Sequence, residues 1–390
     1  MNEGNAGALR VRPLFTFVFS PPKGFDHRKA ESEPAGQVDQ QRINELNNAE
    51  LHVLGEAFVR SNRLTRKPLS SFSMGSSGKA EATSAEAYLV THKGGAELIE
   101  VWVELPEQEF NSQKFLDLLK PDSEISIVKE IYRFLPYLGE ESPLFTLIGI
   151  SGQNADVDDF IENHKSELVK LLYLDPSPVP FKRSFVEGEI NRNFCIREGG
   201  ASFMSNSAAL SIMFMSANRS ANFNYADLQS KCTLPFFIVL EILLLEKEIL
   251  RKYYERLVRG SLSINGLIGL KQEILDGLEE YYGIIEKATQ FSAPLMDFGE
   301  NALGINDLYD SVIDRLDAVT FDITTNYARN SNVLSFWLTV LFGSLDTGLL
   351  VESVASIVYT HNLFGVAAWT ALSTALTFLM IFLLLYRRIR

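Results

Sequence analysis

The sequence predicts an α+β domain followed by a long helical stalk and a two-helix transmembrane hairpin. Three observations carry this expectation. Strand-like and helix-like runs alternate over residues 87–220, only helical periodicity remains from Leu234 onward, and the chain closes on two long apolar stretches separated by a short polar loop.

At 390 residues the chain exceeds the usual size of one domain. Its formal net charge is −13, from 49 acidic and 36 basic residues, and no basic patch stands out to grip phosphates. Nucleic acid is therefore not expected as a partner. The two cysteines, Cys195 and Cys232, have neither the number nor the spacing of a disulfide framework or a zinc site, which fits a reducing compartment. The histidines His27, His52, His92, His164 and His361 are scattered, and acidic pairs such as Asp158-Asp159 and Glu279-Glu280 read as solvated helix faces. Neither an enzyme nor a resident cofactor is expected.

Residues 1–86 read as a mostly flexible region with one helix at 43–59. The apolar run from Pro13 to Ser20 is too short for a signal-peptide core and no small-residue cleavage site follows, so no export is expected. Residues 61–86, rich in Ser, Gly, Ala and Lys, read as a linker. Within them Gly75-Ser76-Ser77-Gly78-Lys79-Ala80 has Ala80 where a phosphate loop needs a magnesium-binding hydroxyl.

Residues 87–230 form the expected α/β domain of the cytosolic part. Ala87–His92 and Glu97–Leu105 flank Lys93-Gly94-Gly95, a hairpin signal, and Leu144–Ile150 reads as a buried strand. Ile190–Arg197 and Ala208–Met215 suggest a second hairpin around Gly199-Gly200, with helices at Ser112–Leu119 and Val157–Leu172. Residues 234–333 follow as a helical hairpin and stalk. Leu234–Val258 is apolar only over its first half and is interrupted by Glu241 and Glu246, which marks a packing helix and not a span. Leu267–Ala288 is the next helix. The stalk starts near Gly304, with Ile305, Leu308, Val312, Leu316, Val319 and Ile323 at steps of three and four. No Pro or Gly interrupts 305–342, so this helix is expected to enter the membrane directly.

The hairpin, 334–387, comprises spans at 334–358 and 364–386 and ends in the basic tail 387–390. The positive-inside rule puts that tail in the cytoplasm, and the short loop makes the spans antiparallel neighbours, so both termini are expected on the cytoplasmic side of the plasma membrane. The first span carries Asp346 and Glu352. Projected at about 100° per residue, Ser335, Thr339, Asp346, Ser353 and Thr360 share a narrow sector, and stepping back by sevens from Thr339 reaches Asn332, Thr325, Ala318 and Ser311. A polar stripe of this kind cannot face lipid. The second span offers no ionisable partner, so copies of the first span around an axis are expected to line a wet pore with Asn332, Ser335, Thr339, Asp346, Ser353 and Thr360. His361 and Asn362 would stand at its outer mouth. A ring of Asp346 carboxylates selects cations; the rival reading is a protonated Asp346 hydrogen-bonded at a helix contact.

This order of parts resembles the CorA family of divalent-cation channels. There an α/β domain leads through a helical hairpin to a very long helix that becomes the pore-lining span, followed by a short outer loop, a second span and a basic tail. The resemblance implies a pentamer that conducts a divalent cation such as Mg2+, with the cytosolic domain its gate; Asp346 is the expected metal-facing residue on the ground of the polar stripe and not of the resemblance. The family's Gly-Met-Asn motif is absent: the corresponding place reads Tyr359-Thr360-His361-Asn362, with Asn362 the one asparagine there and Thr360 of the stripe an equal candidate for its place. Two other functions share the scaffold, a signal-activated membrane-disrupting effector and a membrane-anchored binding module without transport.

Overall fold

The computed structural model describes residues 9–22, 25, 40–54, 64–74, 83–92, 94–138, 143–153, 155–215, 233–259, 266, 268–274, 292–358 and 363–389. The chain divides into two compact units, one of residues 1–262 with 268–313 and one of residues 263–267 with 314–390. The first is an α+β unit built on one sheet; the second holds the apolar C-terminal helices.

The sheet runs β2 (Thr65–Met74), β3 (Thr83–Thr91), β4 (Glu97–Glu104), β1 (Arg10–Phe19), β6 (Phe145–Gln153), β8 (Ala208–Met215), β7 (Gly200–Met204), with the short β5 (Gln108–Glu109) pairing the start of β1. All pairings are antiparallel except β6 with β8. That one parallel pair needs a crossover, which α4 (Val157–Leu172) and α5 (Arg183–Ile190) supply.

Alternation along the strands divides the sheet into two buried faces. Ile99, Val101 and Val103 of β4, with Phe15 and Phe17 of β1, point into a core shared with α2 (Ser112–Leu119), α3 (Ile127–Phe134) and α4 through Phe115, Ile131 and Phe160. Glu100 and Trp102 point the other way, where Trp102 meets Phe237 of α6 (Thr233–Arg259) edge-on at 4.7 Å between ring centroids. Helix α1 (Gln40–Leu54) packs beside α6 in this second layer. Helix α6 is buried from Leu234 to Leu245 apart from a partly exposed Pro235, as its apolar run requires.

Several elements fall where the sequence places them. Helices α2 and α4 begin beside Asn111 and Asp156, whose side chains cap the first turn through Lys114 N and through the Asp158 and Asp159 N–H groups. The β3–β4 turn has Gly95 at φ +80°, a conformation glycine adopts freely. Others correct the sequence reading. The region 1–86 contains the central strand β1 and the edge strand β2, where loop and linker are expected. The helix expected at 43–59 starts earlier, at Gln40, and is described to Leu54, with 55–59 outside the described residues. The strand expected over Ile190–Arg197 is instead the end of α5 and a loop, with β7 starting at Gly200. Helices α3, α5 and α7 (Ser292–Ala302) have no counterpart in the sequence reading. Most of the expected helix Leu267–Ala288 lies outside the described residues.

Helix α8 runs unbroken from Ile305 to Val358, and α9 covers Leu363–Ile389. Val333–Val354 and Phe364–Leu383 are long and apolar enough to cross a bilayer.

Candidate functional site

Within the second unit α8 and α9 touch along a line of small side chains. Val340, Ser344 and Gly348 are buried there, with Gly343 and Thr347 half-buried. A Cβ added at Gly348 would sit 2.2 Å from Thr374 Oγ1, and one at Gly343 would sit 3.2 Å from Ile381 Cδ1. Were these helices in a bilayer, excluding apolar surface would add little, and close backbone approach through small residues would hold them together. Gly348→Ile is therefore expected to splay the hairpin, costing about 1–3 kcal/mol by overpacking and lowering the thermal midpoint of the detergent-solubilised protein. Gly269→Ala, where an added Cβ meets nothing within 4 Å, is the neutral control.

The polar stripe lies on the other side of α8. At about 100° per residue, Asp346 stands roughly 150° from the middle of the α9 contact line. Ser335, Thr339, Asp346 and Ser353 are all exposed. Thr339 Oγ1 donates to the Ser335 carbonyl at 2.8 Å and Ser353 Oγ to the Leu349 carbonyl at 2.9 Å, so these hydroxyls are satisfied by their own helix. Asp346 has no hydrogen bond or ion pair among the described residues. Flanking it, Phe342 and Leu350 are exposed, so the polar sector is narrow. Glu352 is exposed on a different side of the helix. Asn332 lies on α8 with its side chain undescribed, and Thr360, His361 and Asn362 lie outside the described residues. Near the opposite end of the first span, Trp337 packs against Phe382 at 5.6 Å and Phe378 at 6.4 Å.

A second polar feature, inside the first unit, has no counterpart in the sequence reading. Arg66 of β2 has no side-chain exposure. It places Nε and Nη2 on the two oxygens of Glu241, at 3.2 and 2.5 Å, and Nη1 on Glu50 at 2.7 Å and Asn47 at 3.1 Å. Glu50 also accepts from the Leu64 N–H at 3.2 Å. Glu100 joins from β4: its Oε2 accepts from Trp102 Nε1 at 3.2 Å, while Oε1 is buried without a donor. Burial, and then Glu241, hold the Glu100 carboxyl well above the usual carboxylate range. Burial raises Glu241 as well, against the pull of Arg66. A protonated Glu100 donating to Glu241 satisfies both acids. Nearby, Arg42 pairs with Glu104 and lies 5.0 Å above the Trp102 ring. The cluster ties α1, α6, β2 and β4 together, and it is sealed by its own pairing.

Among the described residues no group of three or more His, Cys, Asp or Glu side chains is arranged to hold a metal ion. Asp346 brings one carboxylate per chain, so cation contact at that level depends on further copies. No protein-family model, no curated protein and no solved structure matches the chain.

Proposed function

We propose that the chain assembles as a homo-oligomeric membrane protein whose first span lines a cation-conducting pore, gated by the sheet unit. The observation that carries this reading is the position of Asp346: a carboxylate within an apolar span, on the face turned away from the second helix, with no partner among the described residues. An ionised group in hydrocarbon costs several kcal/mol, so this face turns to water or protein. The aligned hydroxyls of Ser335, Thr339 and Ser353 extend the same wet face along the helix. Symmetric copies give Asp346 water and one another for neighbours in place of lipid, with the small-residue contact to α9 holding the second helices outside. The carboxylate ring favours cations, and the CorA-like order of parts points to a divalent ion such as Mg2+ and to five copies. The basic end of α9 supports, by the positive-inside rule, a cytoplasmic side for both termini.

The test is cation flux into vesicles carrying the purified protein and an enclosed divalent-ion dye. Wild type is expected to conduct, and Asp346→Asn to lower flux and cation-over-anion selectivity severalfold while leaving the oligomer intact. Equal flux in the two proteins, or a monomeric purified particle, overturns the reading.

A further inference from the structure

A cavity of about 200 Å³ opens at the carboxyl end of β6, lined by Arg10, Arg12, Glu107, Ser151, Gly152 and Gln153. Arg10 and Arg12 flank Val11, which enters the core, so strand alternation puts both guanidiniums on the opposite face of the sheet. Ser151 stands opposite Arg12 in the neighbouring strand and donates its hydroxyl to the Arg12 carbonyl at 2.9 Å, which fixes the backbone beneath them.

Other arginines of this unit hold a carboxylate, Arg42, Arg183 and Arg192 among them. Arg10 and Arg12, like Arg197, hold none among the described residues, although the chain is strongly acidic. Glu107 lines the same cavity without an ion pair to either guanidinium. Glu109 stands opposite Arg10 in the β1–β5 pairing, yet forms no ion pair with it; two forked cations two residues apart and facing one cavity match a tetrahedral oxyanion that accepts from both. The cavity is roomy enough for a phosphate and the group it esterifies, with Glu107 available to accept from a ligand hydroxyl or N–H.

We infer that the Arg10–Arg12 cavity binds the phosphate of a small phosphate ester. The inference stands apart from the pore reading, since it concerns only the sheet unit. The probe is pyrophosphate, titrated calorimetrically into the full chain held in neutral phosphatidylcholine nanodiscs. Saturable binding is expected, weakened about tenfold or more in the Arg10→Gln, Arg12→Gln double variant, as loss of charge-assisted hydrogen bonds implies. The paired lysine variant is expected to lose less, since it keeps the charge and gives up only the fork. Both variants alter exposed side chains, and an unchanged thermal midpoint without phosphate certifies their fold. Competition then separates two sources of the same chemistry. Displacement of pyrophosphate by glycerol 3-phosphate at lower concentration than short-chain phosphatidylglycerol supports a soluble ester, and the reverse order supports a lipid headgroup. Absence of saturable binding, or equal affinity in wild type and the glutamine pair, overturns the inference.

Discussion

Replacing Arg66 with methionine is expected to destabilise the sheet unit by about 3–5 kcal/mol, the usual cost of leaving buried charge without its partner. The side chain is fully enclosed and is the cation on which Glu241 and Glu50 both close. Methionine fills much of its volume but supplies no donor, so the bonds to Glu241, Glu50 and Asn47 are lost together while the acids stay buried. Protons do not fully compensate, because Glu100 already sits well above the ordinary carboxylate range beside Glu241. The expected result is a lower urea midpoint and faster amide hydrogen exchange in β2, β3 and β4. Pairing Arg66→Met with Glu241→Leu removes both ends of the strongest ion pair and is expected to recover part of the loss. Glu100→Gln is expected to change little near neutral pH, since the amide can donate to Glu241 as the protonated acid does. An Arg66→Met protein with wild-type exchange in these strands would show the cluster to be energetically idle.

The same cluster marks where sequence reading stops. Its members come from positions 50, 66, 100 and 241, and no local pattern joins them. One signal exists: Glu241 lies inside the apolar run Phe236–Leu245, where a buried acid needs a cation from elsewhere in the chain. Strand β1 escapes for a different reason. A central strand covered on both faces loses its polar–apolar alternation, so Pro13–Phe19 resembles a truncated signal core more than an amphipathic strand. The run is nonetheless of strand length and ends at Pro21-Pro22. Strand β2 carries Pro68 at an irregularity in its pairing and sits at the sheet edge, so its strand character comes from pairing with β3.

What is local reads well. The capped helices α2 and α4 and the glycine turn between β3 and β4 each depend on residues adjacent in sequence. The hairpin is legible in the same way, because apolar length alone marks it. The seven-residue spacing around Asp346 is a helical pattern too, and in the structure the described stripe residues Ser335, Thr339, Asp346 and Ser353 share an exposed face. The opposite face, with Gly343, Ser344 and Gly348 closing on α9, was equally present as small residues at helical spacing, yet it becomes informative only when Thr374 and Ile381 are seen against it.

Glu246 is expected to make the sheet unit lose stability as pH rises. It lies on α6 one turn beyond Leu243, whose Cδ1 would be only 2.4 Å from a Cβ added at Gly299 of α7. That close approach buries Glu246 beside Glu300, the next residue of α7, and Glu246 has no hydrogen bond or ion pair among the described residues. Burial, and then Glu300, push its carboxyl up to about 8. Glu300 is itself raised, by burial and by Asp297, and Lys247 is lowered by burial and by Arg251, so the surroundings offer Glu246 little compensation. A raised folded-state value means that between about 4.5 and 8 the folded chain keeps a proton the unfolded chain has released. Stability from this group is then whole below the unfolded value and falls as pH climbs through the window. At 1.36 kcal/mol per unit the total is on the order of 5 kcal/mol, an upper figure because local opening admits water. Glutamine mimics the protonated acid without titrating. Glu246→Gln is therefore expected to match wild type near pH 5 and to exceed it by a few kcal/mol near pH 9, read from urea midpoints across the range. Parallel curves for the two proteins would mean that Glu246 stays ionised in the fold, with water or a shifted side chain supplying what the α6–α7 contact withholds.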